Sequence, residues 1–238
     1  MGKQKGVYLH GKDGNILYYS WKGIACERMI PSEVYQSPVV VAHKNANGLS
    51  TTMGGSFRKL LAHVIPYPKS MQMQTALRLA LLKWLKSISI PTQTPVEMPY
   101  ISGLSFNEAA MLDKCLQVPL TVSVTELNEL AVLVPEIIPT IALAAPPETD
   151  HVQIKFAAAC CNMYTGEAQQ KVTDNITIPY NSESIPAQTI FLPLEISKGS
   201  ITILAAALEY FTLTNGKAYL ILNDRFRPSE VVFGGVMK

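Results

Sequence analysis

HVQIKFAAACC, residues 151–161, carries two conflicting signals. Its run Ala157-Ala158-Ala159 favours helix by intrinsic propensity. The flanking Val152, Ile154 and Phe156 favour a strand. The same conflict recurs in ILAAALEY, residues 203–210, where alanines again sit between Ile, Leu and Tyr. Reading both as strands makes the whole rear of the chain β-rich, and the fold class follows from that choice.

Further strand candidates then line up from residue 118 onward: VPLTVSV, LAVLVP, TIALAA, QQKVTDNITIPY, QTIFLPLEI, SITILAAALEY, KAYLILN and EVVFGGV. Turn signals separate them at 146–150, 164–167, 181–186, 197–200, 214–217 and 224–229. Short strands at this spacing predict an antiparallel β-sandwich over residues 100–238. Thr214-Asn215-Gly216-Lys217, between two apolar runs, is the strongest hairpin signal. A short helix is expected within 104–117, with Ser105-x-x-Glu108 as its capping pair.

The front of the chain reads differently. KGVYLHGKDGN, residues 5–15, holds Gly6, Gly11 and Lys12 at P-loop spacing. A P-loop needs a buried strand before it, a helix after it and Ser or Thr after the lysine. Here Asp13 follows, an anion that would repel phosphate, and then comes the alternating run ILYYSWKG. A β-hairpin turning at Gly14, on Asp13-Gly14 or Gly14-Asn15, is the better reading. Residues 32–50 look irregular, with Pro31, Pro38 and NANG at 45–48. Phe57, Leu60, Leu61 and Val64 then recur at helical spacing, capped by Thr52 or Ser56 and stopped by Pro66. A second helix is expected at about 70–88, opened by Ser70, with Leu77, Leu81, Trp84, Leu85 and Ile88 as its apolar stripe. PTQTPVEMP, residues 91–99, is proline-punctuated, so the predicted division is a hairpin-plus-helices module (1–92), a linker (93–99) and a β-sandwich domain (100–238).

The chain has 238 residues, is 48% hydrophobic and 16% charged, and can bury a core of its own. Its net charge is only +2, but residues 1–92 hold twelve basic and three acidic residues, and residues 93–238 hold eight basic and fifteen acidic ones. That contrast suggests two modules with different partners, or complementary surfaces on neighbouring copies. Apolar stretches are broken by Pro135, Pro139 and Pro146, short of the ~20 residues a membrane helix requires. MGKQKGVYLHGKDG has no signal-peptide core, so a cytoplasmic location, or one within a virion-like assembly, is expected.

Chemistry-bearing motifs are sparse. Cys26, Cys115, Cys160 and Cys161 include no C-x-x-C pair and are expected to be reduced, mostly buried residues. His10, His43, His63 and His151 show no metal-ligand spacing. Gly54-Gly55-Ser56 lacks the strand a nucleophile turn needs, and Glu126 with Glu129, and Glu148 with Asp150, read as solvated turn residues. No catalytic, metal-binding or cofactor-binding residue is therefore assigned, and no small-molecule substrate or membrane partner is expected. A pocket placing His63 or His43 beside a carboxylate would favour an enzyme instead. The basic front offers Lys12, Lys22 and Arg28 near Tyr18, Tyr19 and Trp21, and Arg58, Lys59, Arg78, Lys83 and Lys86 on the helices. Cations interleaved with aromatics can grip a nucleic-acid backbone and stack on its bases.

Gly11-Lys12-x-Gly14-Asn15, then Trp21-Lys22-Gly23, Arg28 and Pro31, resemble the opening of an uncharacterised bacterial family widespread in Bacteroidetes. Asp150-His151-Val152-Gln153-Ile154 resembles a strand of that family's later half. Asp13 and Leu17-Tyr18-Tyr19 depart from its usual small residues and valine, and its Gln/Lys-rich run after Pro31 is missing. The resemblance implies a helical segment leading into an immunoglobulin-like sandwich, and a structural role for Gly11, Gly14, Asn15, Trp21 and Gly23. It carries no activity. The expectation is a non-enzymatic structural or interaction protein, with protein partners or self-assembly; a phage or mobile-element assembly component fits that plan. The competing expectation is nucleic-acid binding through residues 1–92.

Overall fold

The computed structural model describes residues 3–5, 8–31, 38–66, 71–87, 98, 100–126, 129–194 and 199–236; for 3–5, 8 and 38–44 it describes the backbone alone. The fold is mixed α and β, with antiparallel sheets. The chain divides into two compact units, Met1–Lys44 and Asn45–Lys238.

The first unit holds β1 (Lys3–Lys5), β2 (Tyr8–Asp13), β3 (Ile16–Trp21) and β4 (Ile24–Met29), an antiparallel sheet in sequence order. Asp13 pairs with Ile16, which leaves the two-residue loop Gly14-Asn15. Gly14 has φ +56°, the positive first position of a type II′ hairpin turn. Trp21 pairs with Ile24 across Lys22-Gly23, whose φ values of 51° and 81° are those of a type I′ turn. The Gly-Lys-x-Gly-Asn and Trp-Lys-Gly stretches therefore encode two consecutive hairpin turns. Strand β3 follows directly where a P-loop would need a helix.

The boundary between the units falls inside α1 (Pro38–Leu60). The second unit continues through a single 3-10 turn (Leu61–His63), α2 (Met71–Ser87), α3 (Leu112–Cys115), β5 (Thr121–Val124), β6 (Leu130–Val134) and α4 (Pro139–Ala142). It ends with β7 (His151–Asn162), β8 (Ala168–Pro179), β9 (Gln188–Leu192), β10 (Ser200–Thr214), β11 (Lys217–Leu220), a 3-10 turn (Asp224–Phe226) and β12 (Ser229–Val236). Strand β10 lies at the centre. One edge pairs with β7, which pairs in turn with β8; the other edge is shared by β12, over Ile201–Ala207, and β11, over Phe211–Thr214. Strands β5, β6 and β9 form a separate three-stranded sheet. Asn215 and Gly216, with φ 52° and 77°, make the expected hairpin turn between β10 and β11.

Both faces of β7 and β10 are buried. Val152, Ile154, Phe156, Ala158, Leu204, Ala206, Leu208 and Tyr210 share one core with Leu130, Val132, Val134, Ile190 and Leu192 of the smaller sheet. Ala157, Ala159, Cys161, Ile201, Ile203, Ala205 and Ala207 share the other with Met53, Phe57, Leu61, Leu77, Leu81 and Trp84 of the helices. This explains the mixed signal in 151–161. The alanines on the helix-facing side leave room for two helices to pack onto the strands, so a strand sequence takes on helix-like composition. Each fully buried Phe or Leu of the helical stripes contributes roughly 1.5–3 kcal/mol relative to exposure.

Several expectations are corrected. The division at residues 93–99 does not match the compact units: the helical stripes lie in a common core with β7 and β10. Within 93–99 only Met98 is described; it is buried, and its N–H donates to the Gly234 carbonyl at 3.1 Å. Residues 38–50 are helical rather than irregular, since proline is tolerated in a helix's first turn. Thr52 donates back to the Gly48 carbonyl at 3.2 Å from within α1, and Ser56 donates to Gly166 at 2.9 Å; neither caps the helix. TIALAA supplies α4 and a single bridge at Leu143, because Pro139 occupies a helix-starting position. In 104–117 only Leu112–Cys115 is helical, and Ser105 bonds Asn107 rather than capping. The Ser70 cap and Ile88 lie outside the described residues.

Candidate functional site

Strand register places the first unit's residues on definite faces. Lys12 pairs with Leu17, Arg28 with Leu17, Cys26 with Tyr19 and Ile24 with Trp21, so all seven side chains share one face. The Arg28 guanidinium carbon lies 6.0 Å from the Tyr19 ring centroid, a cation–π distance. Lys12 and Arg28 are exposed, and so is Trp21, at 61%. The structural role that the resemblance implies for Trp21 is therefore not one of buried packing. Ile24 and Met29 are exposed too, and no described side chain of residues 9–31 is fully buried. Gly11 lies in β2 at φ +106°, while Gly14 and Gly23 occupy turn positions with open space around them.

In the second unit α1 and α2 bring Arg58 and Arg78 into one cleft of about 350 Å³, lined also by Thr51, Gly54, Gly55 and Gln74. Gly54 lies against Arg78, where an added Cβ would make an ordinary contact at 3.8 Å from the Arg78 backbone. Lys59, Lys83 and Lys86 are exposed. Residues 45–92 contain six basic and no acidic residues. The charge contrast seen in the sequence thus lies largely within the second unit, between its helices and the rest of it.

The sequence did not disclose a third cluster. Where the helices end, the helix-side face of β7 and β10 turns polar, with Lys155 and Glu209 on it. Lys155 Nζ lies 2.9 Å from Glu209 Oε2, and Arg227 Nη2 lies 3.9 Å from Glu209 Oε1. All three side chains are 13–19% exposed. They line a cavity of about 320 Å³ together with His63. Burial lowers the His63 pKa most; Lys155 lowers it further, and Glu209 opposes the shift. So a pocket does set His63 near a carboxylate, but that carboxylate is already engaged by two cations. A lysine inside IKF and a glutamate inside ALEYF were the only sequence signals, and neither discloses strand register.

The cysteines are all free, with Cys115, Cys160 and Cys161 buried and Cys26 half-buried. The Asp150 carboxylate accepts from the Leu213 N–H, tying the head of β7 to β10. Among the described residues no group of three His, Cys, Asp or Glu is placed to hold a metal, and no helix is long and apolar enough to cross a membrane. The side chain of His43 lies outside those described. A scan against protein-family models finds no match, and searches of curated proteins and solved structures find none either.

Proposed function

We propose that this chain is a non-enzymatic structural or interaction protein that self-assembles through its N-terminal sheet. The observation that carries this reading is the exposed face of that sheet, where Trp21, Ile24 and Tyr19 stand beside Arg28 with no buried residue beneath them. Apolar and aromatic side chains exposed together mark interaction surfaces. The acidic excess of residues 93–238 supplies complementary charge on a second copy. A phage or mobile-element assembly component, in the cytoplasm or within a virion-like particle, fits this reading, as does membership of the Bacteroidetes-type family. The core shared by the two sheets of the second unit supports a β-sandwich; the immunoglobulin-like form rests on the resemblance, with the helices an addition to that plan. Light scattering on the full chain tests self-assembly: a mass above 26.1 kDa that rises with concentration is expected, and loss of that rise in a Trp21→Ser/Ile24→Ser variant. A monomer at every concentration and salt level refutes it.

Nucleic-acid binding is the second reading, favoured by the shared face of Lys12, Arg28, Tyr19 and Trp21 and by the Arg58–Arg78 cleft. The full chain is the right reagent, since residues 45–92 share a core with the strands. Affinity for single-stranded DNA falling steeply with salt supports it; no binding at low salt removes it.

A further inference from the structure

We propose that the cavity of His63, Lys155, Glu209 and Arg227 is a binding site for a small oxyanion, a phosphate or carboxylate group on a compact ligand. It is independent of the N-terminal sheet and of the Arg58–Arg78 cleft. Four separate segments build it: the 3-10 turn supplies His63, β7 supplies Lys155, β10 supplies Glu209, and the segment before β12 supplies Arg227. Its volume of about 320 Å³ falls within the ~300–1,000 Å³ range of small-molecule sites.

The charge of the lining selects an anion. The charged lining consists of two cations and one carboxylate, so the cavity is net positive with His63 neutral. Both cations contact the same Glu209, at 2.9 and 3.9 Å. Two carbonyls of the lining are tied into the fold: Val64 accepts from Ser229 Oγ at 2.6 Å, and Pro228 accepts from the Leu208 N–H at 3.1 Å. Taking charged groups largely out of water is costly, and apolar residues of similar size often stabilise a fold as well or better. A part-buried charged cluster that lines a cavity is thus better explained by a ligand than by stability. Burial is the main cause of the depressed His63 pKa, with Lys155 and Lys171 adding to it and Glu209 opposing it.

The test is a titration of the full chain with inorganic phosphate, and separately with acetate, at low ionic strength with chloride as control, read by the NMR signal of His63 and by thermal shift. Saturable binding of either oxyanion is expected, with the His63 pKa rising on binding. Glu209→Gln removes the competing carboxylate and should tighten binding about tenfold, whereas a purely structural cluster would only be weakened. Arg227→Gln should abolish binding, and Arg58→Gln/Arg78→Gln should leave it intact. If an Arg227 variant fails to fold, the wild-type and Glu209→Gln titrations still decide. No saturable response to either anion overturns the proposal, as does a response lost in Arg58→Gln/Arg78→Gln or not strengthened in Glu209→Gln.

Discussion

Replacing Gly166 by alanine tests whether the helices seat directly on the β7–β8 turn. Gly166 has φ +73°, and an added Cβ would lie 3.1 Å from Met53 Cγ, 3.1 Å from the Met53 backbone nitrogen and 3.2 Å from Leu49 Cδ1. Gly216 supplies the control: its φ is +77°, with nothing within 4 Å of the added atom. Both substitutions incur the left-handed penalty of an L-residue, ~1–2 kcal/mol. Only Gly166→Ala adds overpacking, ~1–3 kcal/mol, because a backbone nitrogen in the middle of α1 cannot give way alone. It also strains the Ser56 hydroxyl bond to the Gly166 carbonyl, 2.9 Å long and worth ~0.5–1.5 kcal/mol. Gly216→Ala should cost about 1–2 kcal/mol and Gly166→Ala about 2–5. Urea unfolding followed by the fluorescence of Trp84, which is buried, measures both. Equal losses in the two variants would show that α1 does not rest on this turn.

The remaining predictions concern individual side chains. Trp84→Ala should cost ~3–5 kcal/mol in urea unfolding followed by circular dichroism, while exposed Trp21→Ala should stay within about 0.5; a large loss for Trp21→Ala would contradict its exposure. An aromatic-disulfide thiol reagent should titrate Cys26 quickly in the native protein and the other three cysteines only on denaturation. Burial pushes the Cys161 thiol up to about 12 and raises Cys115 and Cys160 as well; a second fast thiol would count against the core described. Tyr210→Phe removes the hydroxyl that donates to the Ala144 carbonyl at 2.8 Å and should cost ~1–2 kcal/mol, checked by chemical denaturation; an unchanged midpoint would mean that water replaces the bond.

Strands were legible where branched or aromatic residues ran between turn residues, as in 200–210, and the hairpin turn at 214–217 was legible from Asn215-Gly216. The turn at Gly14 and the α2 stripe were legible for equally local reasons. The misreadings arose where local signals competed with position. Pro38 and Pro139 look like punctuation, yet each opens a helix. The 93–99 boundary rested on charge and proline, while the compact units follow burial: helices that cover a sheet carry their cations outward, so composition changed at a layer and not at a domain edge. Of the sites, Arg58 and Arg78 were named but their convergence needed the crossing of two helices. The grouping of His63, Lys155, Glu209 and Arg227 needed one cavity to be lined by residues as far apart in sequence as 63 and 227, which local periodicity does not encode.

Ala157, Ala158 and Ala159 lie beside Ala205, Leu204 and Ile203 in adjoining strands, with layers pressed against both sides. The alanines of such a floor tolerate little added volume. A saturation mutagenesis survey would find glycine, serine and cysteine admitted there and every larger residue rejected, whichever way it points. The tightest constraint on sequence drift in this chain would then fall on its plainest residues.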